Sequence, residues 1–116
     1  MSNNERIAII GACRTPFTKI GTELKSLHAD DLGVLALRES IVRATIKPDD
    51  IDEVVGGCCA QPAHSANVGR VVACRAGIPN HVPAITVHRN CASGLEAVSQ
   101  GFLQIASGRA DLVVAG

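Results

Sequence analysis

The sequence predicts an α/β fold, with a parallel-rich sheet carrying helices on both faces, and three observations lead there. Short, nearly unbroken apolar runs alternate with longer amphipathic stretches. Strands covered on both faces by crossover helices produce such runs. Gly, Pro and Asn mark the boundaries between them. No internal repeat, low-complexity tract or Ser/Gly linker divides residues 1–116, so one domain is expected.

The first predicted element is a strand from Arg6 to Cys13 built on Ile7, Ala8, Ile9 and Ile10. Pro16 ends it because proline cannot donate to a ladder, and a polar loop runs from Thr18 to Ser26. Asp30 to Thr45 reads as a helix. Leu32, Leu35, Ala36 and Val42 share one side, which Val34, Leu37 and Ile41 extend. Asp30 and Asp31 suit its positive end and Arg43 its negative end. Pro48, Asp49 and Asp50 mark a turn. A second strand is expected from Val54 to about Ala60, with Gly56 and Gly57 permitting close backbone approach. Asn67 can cap a short helix from Val68 to Ala76, which Gly77 and Pro79 stop. Ala84 to Val87 is a third strand. A second long helix spans Ala92 to Ala106, with Leu95, Val98, Phe102 and Ile105 on one face. Asp111 to Ala115 is a fourth strand. A chain that stops at the end of a strand reads as a fragment.

Composition narrows the function. Eleven basic and eleven acidic side chains leave a formal net charge of zero, so nothing in the charge pattern favours nucleic acid or a membrane surface. With no Trp or Tyr and two Phe, there is no aromatic platform for bases. No apolar run approaches the ~20 residues of a membrane span. Met1 to Arg6 lacks the basic-then-apolar order of a secretory signal, and a cytoplasmic location is the default. The five cysteines, Cys13, Cys58, Cys59, Cys74 and Cys91, form no C-x-x-C pair. Reduced thiols are expected, and neither they nor the four histidines fall at zinc-site intervals. No metal site is expected.

In an open α/β sheet, ligands bind beyond the carboxyl ends of the strands. Among the turns there, the one from Val87 to Gly94 looks reactive, because it places Cys91 at the head of the second long helix. Unpaired amides and the positive end of the helix dipole favour a thiolate. The same helix start can offer a backbone N–H, that of Cys91, to the oxygen of a tetrahedral intermediate. Small residues at Ala92, Ser93 and Gly94 would let a thioester approach. The competing reading is that free cysteine is usually a packing residue, and four of the five are expected to do no more than pack.

The segment Asn90-Cys91-Ala92-Ser93-Gly94-Leu95-Glu96-Ala97 resembles the acyl-enzyme segment of thiolases. The similarity continues through Arg14-Thr15-Pro16-Phe17, Ala29-Asp30-Asp31-Leu32-Gly33, Asn67-Val68-Gly69-Arg70, Gly77-Ile78-Pro79, Val82-Pro83-Ala84 and Gly108 to Gly116. Several motifs in the right order are more specific than any one. The resemblance implies the amino-terminal part of a thiolase-like fold, with residues 1–116 belonging to the amino-terminal domain and the carboxy-terminal domain lying outside them. It implies acyl transfer through an acyl-thioester on Cys91, either cleaving a 3-oxoacyl-CoA with coenzyme A or condensing two acyl-CoA molecules. Coenzyme A is then a substrate and no permanently bound cofactor is required. The full-length form is expected to be a homo-oligomer, a dimer or tetramer.

Thiolases resembling this sequence also use a Gly-His-Pro histidine, a Cys-x-Gly cysteine and an Asn-bound water, none with a counterpart here. The isolated chain is therefore expected to be inactive. Where thiolases commonly have Asn three residues before the cysteine, this sequence has His88. A general base must come within hydrogen-bond reach, and a backbone or dimer contact is the simpler role for His88. His28, His64 and His81 are expected to be solvated, Arg70 and Arg75 to meet solvent or carboxylates, and Arg89 to meet a coenzyme A phosphate or an interface. A ketosynthase, which shares the fold, and a truncated non-catalytic fragment are the rival readings.

Overall fold

A computed structural model of the chain describes residues 6–116. Among them the elements run α1 (Ala29–Ala44), a short 3-10 turn at Pro48–Asp50, β1 (Glu53–Gly57), α2 (Val68–Ala76), β2 (Ala84–Val87), α3 (Ser93–Ala106) and β3 (Val113–Ala115). The three strands form a parallel sheet in the order β2-β1-β3. Val54 pairs with Ala84 on one side and Val114 on the other. The α/β class and the parallel sheet are as the sequence predicts.

The connections explain how the helices are distributed. From β1 the chain passes through α2 to the neighbour on one side. From β2 it passes through α3 back over β1 to the other side. Parallel crossovers share one hand, so connections running in opposite directions put their helices on opposite faces. Side-chain alternation agrees. Val54, Val114 and Ala84 join the cluster formed with Leu37 and Ile41 of α1 and Ala73 of α2. Val113 and Ala115 meet α3 at Gly101.

Tight approach on both faces requires glycine. A Cβ on Gly56 would lie 2.9 Å from the Gly69 Cα, and one on Gly69 would collide with the Ile85 carbonyl. α2 thus lies almost directly on β1 and β2. The Gly69 N–H donates to Thr86 Oγ1 at 2.9 Å, and the Thr86 hydroxyl donates to Asn67 Oδ1 at 2.8 Å. Asn67 is the N-cap of α2, as its sequence position suggests, with a left-handed φ of 52°. Gly77, at φ 95°, closes the helix.

Three expectations are corrected. Arg6 to Cys13 forms no strand. It runs along α1, where the Cys13 thiol donates to the Ala36 carbonyl at 3.0 Å and an Arg43 nitrogen donates to the Ala12 carbonyl at 3.4 Å. Ile9 is 83% exposed. An apolar run supplies a strand's side chains, but a ladder also needs a neighbouring backbone, and none of the described residues provides one here. The buried stripe of α1 is Val34, Leu37 and Ile41, while Leu35 and Val42 point outward. Most clearly, α3 turns Leu95, Val98 and Phe102 to the exterior and buries Ser93, Ala97 and Gly101 against the sheet.

Two carboxylate clamps hold these elements. Asp30, buried at the start of α1, accepts from Arg75 of α2 and lies 3.2 Å from His64 Nε2. Asp31 accepts from Arg75 at 2.6 Å and from the His28 amide at 2.9 Å. Burial works to raise the Asp30 carboxyl, but hydrogen bonding by His64 and the backbone, with the Arg75 charge, outweighs it and leaves the group below its ordinary range. The expectation for Arg75 holds in its carboxylate form. Arg70 instead donates to the Val82 and Asn80 carbonyls. The solvated expectation for His64 needs amending, since one ring nitrogen faces Asp30.

The second clamp joins the starts of β1 and β3. Asp52 Oδ2 accepts from the Asp111 amide at 2.7 Å and the Leu112 amide at 2.9 Å. The Asp52 N–H returns a bond to the Leu112 carbonyl at 2.9 Å. The Leu112 and Asp111 bonds hold the Asp52 carboxyl below its usual range, against burial. With the folded value below the unfolded one of about 3.9, this stabilisation is present above the unfolded value. It is lost as pH falls through the folded one. We expect Asp52→Asn to cost about 1 kcal/mol at pH 7, charge-assisted bonds being discounted for exposure. The penalty should shrink in acid, as wild-type Asp52 itself protonates. Urea denaturation at pH 7 and in acid measures both effects.

Candidate active site

β1 and β2 are adjacent, yet the helices that follow them leave for opposite faces of the sheet. This is the arrangement that opens a crevice beyond the carboxyl ends of an open sheet. The loop after Gly57 and the turn after Val87 leave from these two ends. The Cys58 amide donates to the Val87 carbonyl at 3.0 Å, carrying the pairing one step past the strand end. Cys91 lies in the turn after Val87, exposed, two residues before the first helical residue of α3. Its expected place at the helix head is therefore occupied, although the helix begins at Ser93 and Ala92 is the cap residue.

Hydrogen bonds shape this turn closely. Asn90 adopts a left-handed conformation, φ 48°, which is uncommon outside glycine but best tolerated by Asn and Asp. The Ala92 N–H donates to the Arg89 carbonyl at 3.0 Å and the Ser93 N–H to the Asn90 carbonyl at 3.2 Å. The Glu96 N–H donates to the Ala92 carbonyl at 2.9 Å. The amides of Cys91, Gly94 and Leu95 have no acceptor among the described residues. A helix start with unpartnered amides attracts negative charge.

Side chains complete the turn. Ser93 is 4% exposed. Its hydroxyl donates to the Asn90 carbonyl at 2.7 Å and accepts from the Arg89 amide at 2.9 Å. His88 Nδ1 accepts from the Asn90 amide at 3.1 Å, so this ring nitrogen serves the backbone. Arg89 pairs with Glu96 of the first turn of α3. The Glu96 carboxyl is held below its ordinary range, first by Gln100 and then by Arg89, with burial opposing.

Two expectations change here. Ser93 does more than leave room for a ligand, because it is buried and bonded on both sides. Its signal in the sequence was a hydroxyl three residues after an Asn that precedes a helix. Cys59 and Cys74 are exposed, while Cys13 and Cys58 are half-buried, so exposed thiols do not single out Cys91. The apolar cavity of about 230 Å³ between α1 and the sheet is lined by Cys13, Ser40 and Cys58 among others, and Cys91 is not part of it. No three His, Cys, Asp or Glu side chains among the described residues are placed to share a metal ion.

Gly57 fixes the depth at which this turn sits. A Cβ there would collide with the Ser93 carbonyl and lie 2.6 Å from the Gly94 nitrogen, both backbone atoms that cannot swing aside. The freedom expected of Gly57 is used at the cysteine turn itself.

Comparison with known proteins decides the family. Residues 7–116 match the family described as thiolase, N-terminal domain. The chain belongs to the thiolase family. An acetyl-CoA acetyltransferase of Syntrophomonas wolfei is 43% identical over 110 residues, covering 95% of this chain and 28% of the relative. A beta-ketoadipyl-CoA thiolase of Pseudomonas knackmussii is 38% identical, covering 97% of this chain and 29% of its own length. Among solved structures, the Bacillus anthracis acetyl-CoA acetyltransferase superposes with a TM-score of 0.90 at 37% identity, over 93% of this chain and 27% of that one. An Ascaris suum thiolase solved in complex with coenzyme A gives 0.88 at 29% identity, over 91% and 28% of the two chains. The chain thus spans under a third of the thiolases it matches. No helix among the described residues is long and apolar enough to cross a membrane.

Gly57→Ala is expected to push the thiolase turn off β1, costing about 2 kcal/mol as an overpacked contact. Thermal melting measures the loss, and an unchanged melting temperature would mean that the turn does not rest on Gly57.

Proposed function

We propose that this chain forms part of the amino-terminal domain of a thiolase-type acyl-CoA acyltransferase and supplies its nucleophile, Cys91. The observation that carries the reading is the exposed Cys91 at the head of α3, beside amides that lack acceptors, in a chain that matches the thiolase family along nearly its whole length. The names of the relatives support the reaction class.

In the proposed cleavage, the Cys91 thiolate attacks the 3-oxo carbon of a 3-oxoacyl-CoA and drives its carbonyl electrons onto oxygen. The Cys91 N–H is the donor we assign to that oxyanion, where a preorganised amide acts without reorganisation cost. Collapse breaks the bond between C2 and C3. Acetyl-CoA leaves as an enolate and takes up a proton, and an acyl-thioester remains on the sulfur. The thiolate of a second coenzyme A then attacks the thioester carbonyl, and Cys91 departs as the leaving group. One thioester is exchanged for another, so the second step is close to balanced, and a thiolate suits both roles. Coenzyme A enters as substrate. Proton transfer to the enolate and from the incoming thiol falls to groups of the whole protein outside residues 6–116. Acyl-CoA and coenzyme A are the partners we assign, with a homo-oligomer as the assembly and the cytoplasm as its place.

The test is intact-mass analysis after brief exposure to acetoacetyl-CoA, followed by peptide mapping. An acetyl group on Cys91 is expected. An adduct on another cysteine, or none while Cys91 still alkylates, would falsify the assignment. In the whole protein, Cys91→Ala should lower turnover by about 10⁴-fold or more, the scale of losing a covalent nucleophile. Residues 1–116 alone should produce no sustained acetyl-CoA from acetoacetyl-CoA and coenzyme A. A steady-state assay on the two preparations checks both outcomes.

A further inference from the structure

We infer that Ser93 is a positioning residue for acyl transfer, with His88 as its surface counterpart. This rests on Cys91 being the acylated residue. Four observations on one short stretch carry the inference. Asn90 sits at a positive φ of 48° immediately before the cysteine. The buried Ser93 hydroxyl grips the chain on both sides of that residue, donating to the Asn90 carbonyl and accepting from the Arg89 amide. His88 Nδ1 accepts the Asn90 amide from outside. The Ser93 backbone is itself seated on Gly57.

These bonds occupy the polar backbone groups Arg89 N, Asn90 N and Asn90 O, while the next amide, that of Cys91, has no acceptor among the described residues. A left-handed residue costs about 1 kcal/mol or more and persists where its surroundings over-determine it. Ser93 and His88 provide that determination here. Without them Asn90 relaxes toward an ordinary conformation, and the Cys91 amide and sulfur turn together relative to the crevice. A residue that kept only the helix intact would bond within α3. Ser93 bonds instead to the two residues preceding the nucleophile. His88 stands where thiolases commonly carry Asn, and here its ring nitrogen accepts from the Asn90 amide.

The prediction separates geometry from thiol reactivity, since alkylation needs a thiolate but no oxyanion donor. In the whole protein, Cys91 acylation by acetoacetyl-CoA is followed in a single turnover by rapid quench and mass spectrometry. Alkylation by iodoacetamide is followed in parallel. Ser93→Ala should slow acylation by about 10- to 100-fold, the range of a displaced oxyanion donor, and alkylation by less than about 3-fold. Ser93→Thr retains the hydroxyl and should recover most of the loss. His88→Leu, a change at an exposed position, should slow acylation about 3- to 10-fold with alkylation again little changed. That variant keeps the inference open to refutation if Ser93→Ala does not fold.

Unchanged acylation in Ser93→Ala, equal loss of acylation and alkylation, or a Ser93→Thr variant no better than Ser93→Ala overturns the role of Ser93. If Ser93→Ala does not fold, unchanged acylation in His88→Leu overturns the inference. Failure of the wild-type protein to be acylated at Cys91 while it alkylates normally overturns the proposed function, and this inference with it. That outcome is recognised without any variant.

Discussion

The close seating of α3 on the sheet is the constraint from which the rest of the site follows. Gly57 lies against the Ser93 and Gly94 backbone, Ala97 is fully buried, and Gly101 fits over Val113 and Ala115. Three small positions in succession let the helix axis come nearer than Leu or Val would allow. Dispersion contacts fall steeply with separation, and interiors admit few gaps. The helix start therefore cannot drift along β1, and the turn carrying Cys91 is fixed to it by the Ser93 hydroxyl. Fold and proposed chemistry meet in one interaction, the Gly57 backbone against Ser93.

The direction of the connections then decides where that turn opens. α2 and α3 follow adjacent strands yet cover opposite faces, and the turns after Gly57 and Val87 lie where the two connections diverge. The two carboxylate clamps support the arrangement from its far ends. Asp52 ties the start of β1 to the start of β3, keeping the register that places Gly57 beside Gly116. Asp30 and Asp31 lock α1 to α2 through Arg75. Neither clamp touches Cys91. Their contribution is to hold the strand ends still, which a site built from two turns requires.

Much of this was legible in the sequence, and each failure has a physical cause. The bounds of α2 and β2 follow from local chemistry: Asn67 as a cap, Gly77 in the left-handed region, Pro83 before a short apolar run. The head of α3 was legible because a helix start beside Cys91 needs only local residues. The core face of α3 was misread because hydrophobicity was taken to mark the buried side. At a close helix–sheet contact the buried residues are the small ones, and Ser93, Ala97 and Gly101 carry little apolar signal. The run from Arg6 to Cys13 failed for a different reason. Its side chains suit a strand, but pairing is a property of a neighbouring backbone that no local pattern encodes. The role of Ser93 was obscured in the same way, since it depends on the φ of Asn90.

The exposed face of α3 follows from the same economy of space. Once Ser93, Ala97 and Gly101 take the sheet side, helical periodicity turns Leu95, Val98, Phe102 and Leu103 outward. Leu95 lies one turn past Cys91, so the outward stripe begins at the rim of the proposed site and runs away from it along the helix. An apolar rim lowers the local dielectric when water is excluded, strengthening the attraction between an amide donor and a developing oxyanion. The small buried face and the large outward face of α3 thus serve one end. The first brings the Cys91 amide and sulfur to a fixed place, and the second sets Leu95, which offers no hydrogen bond from its side chain, at the edge of that place.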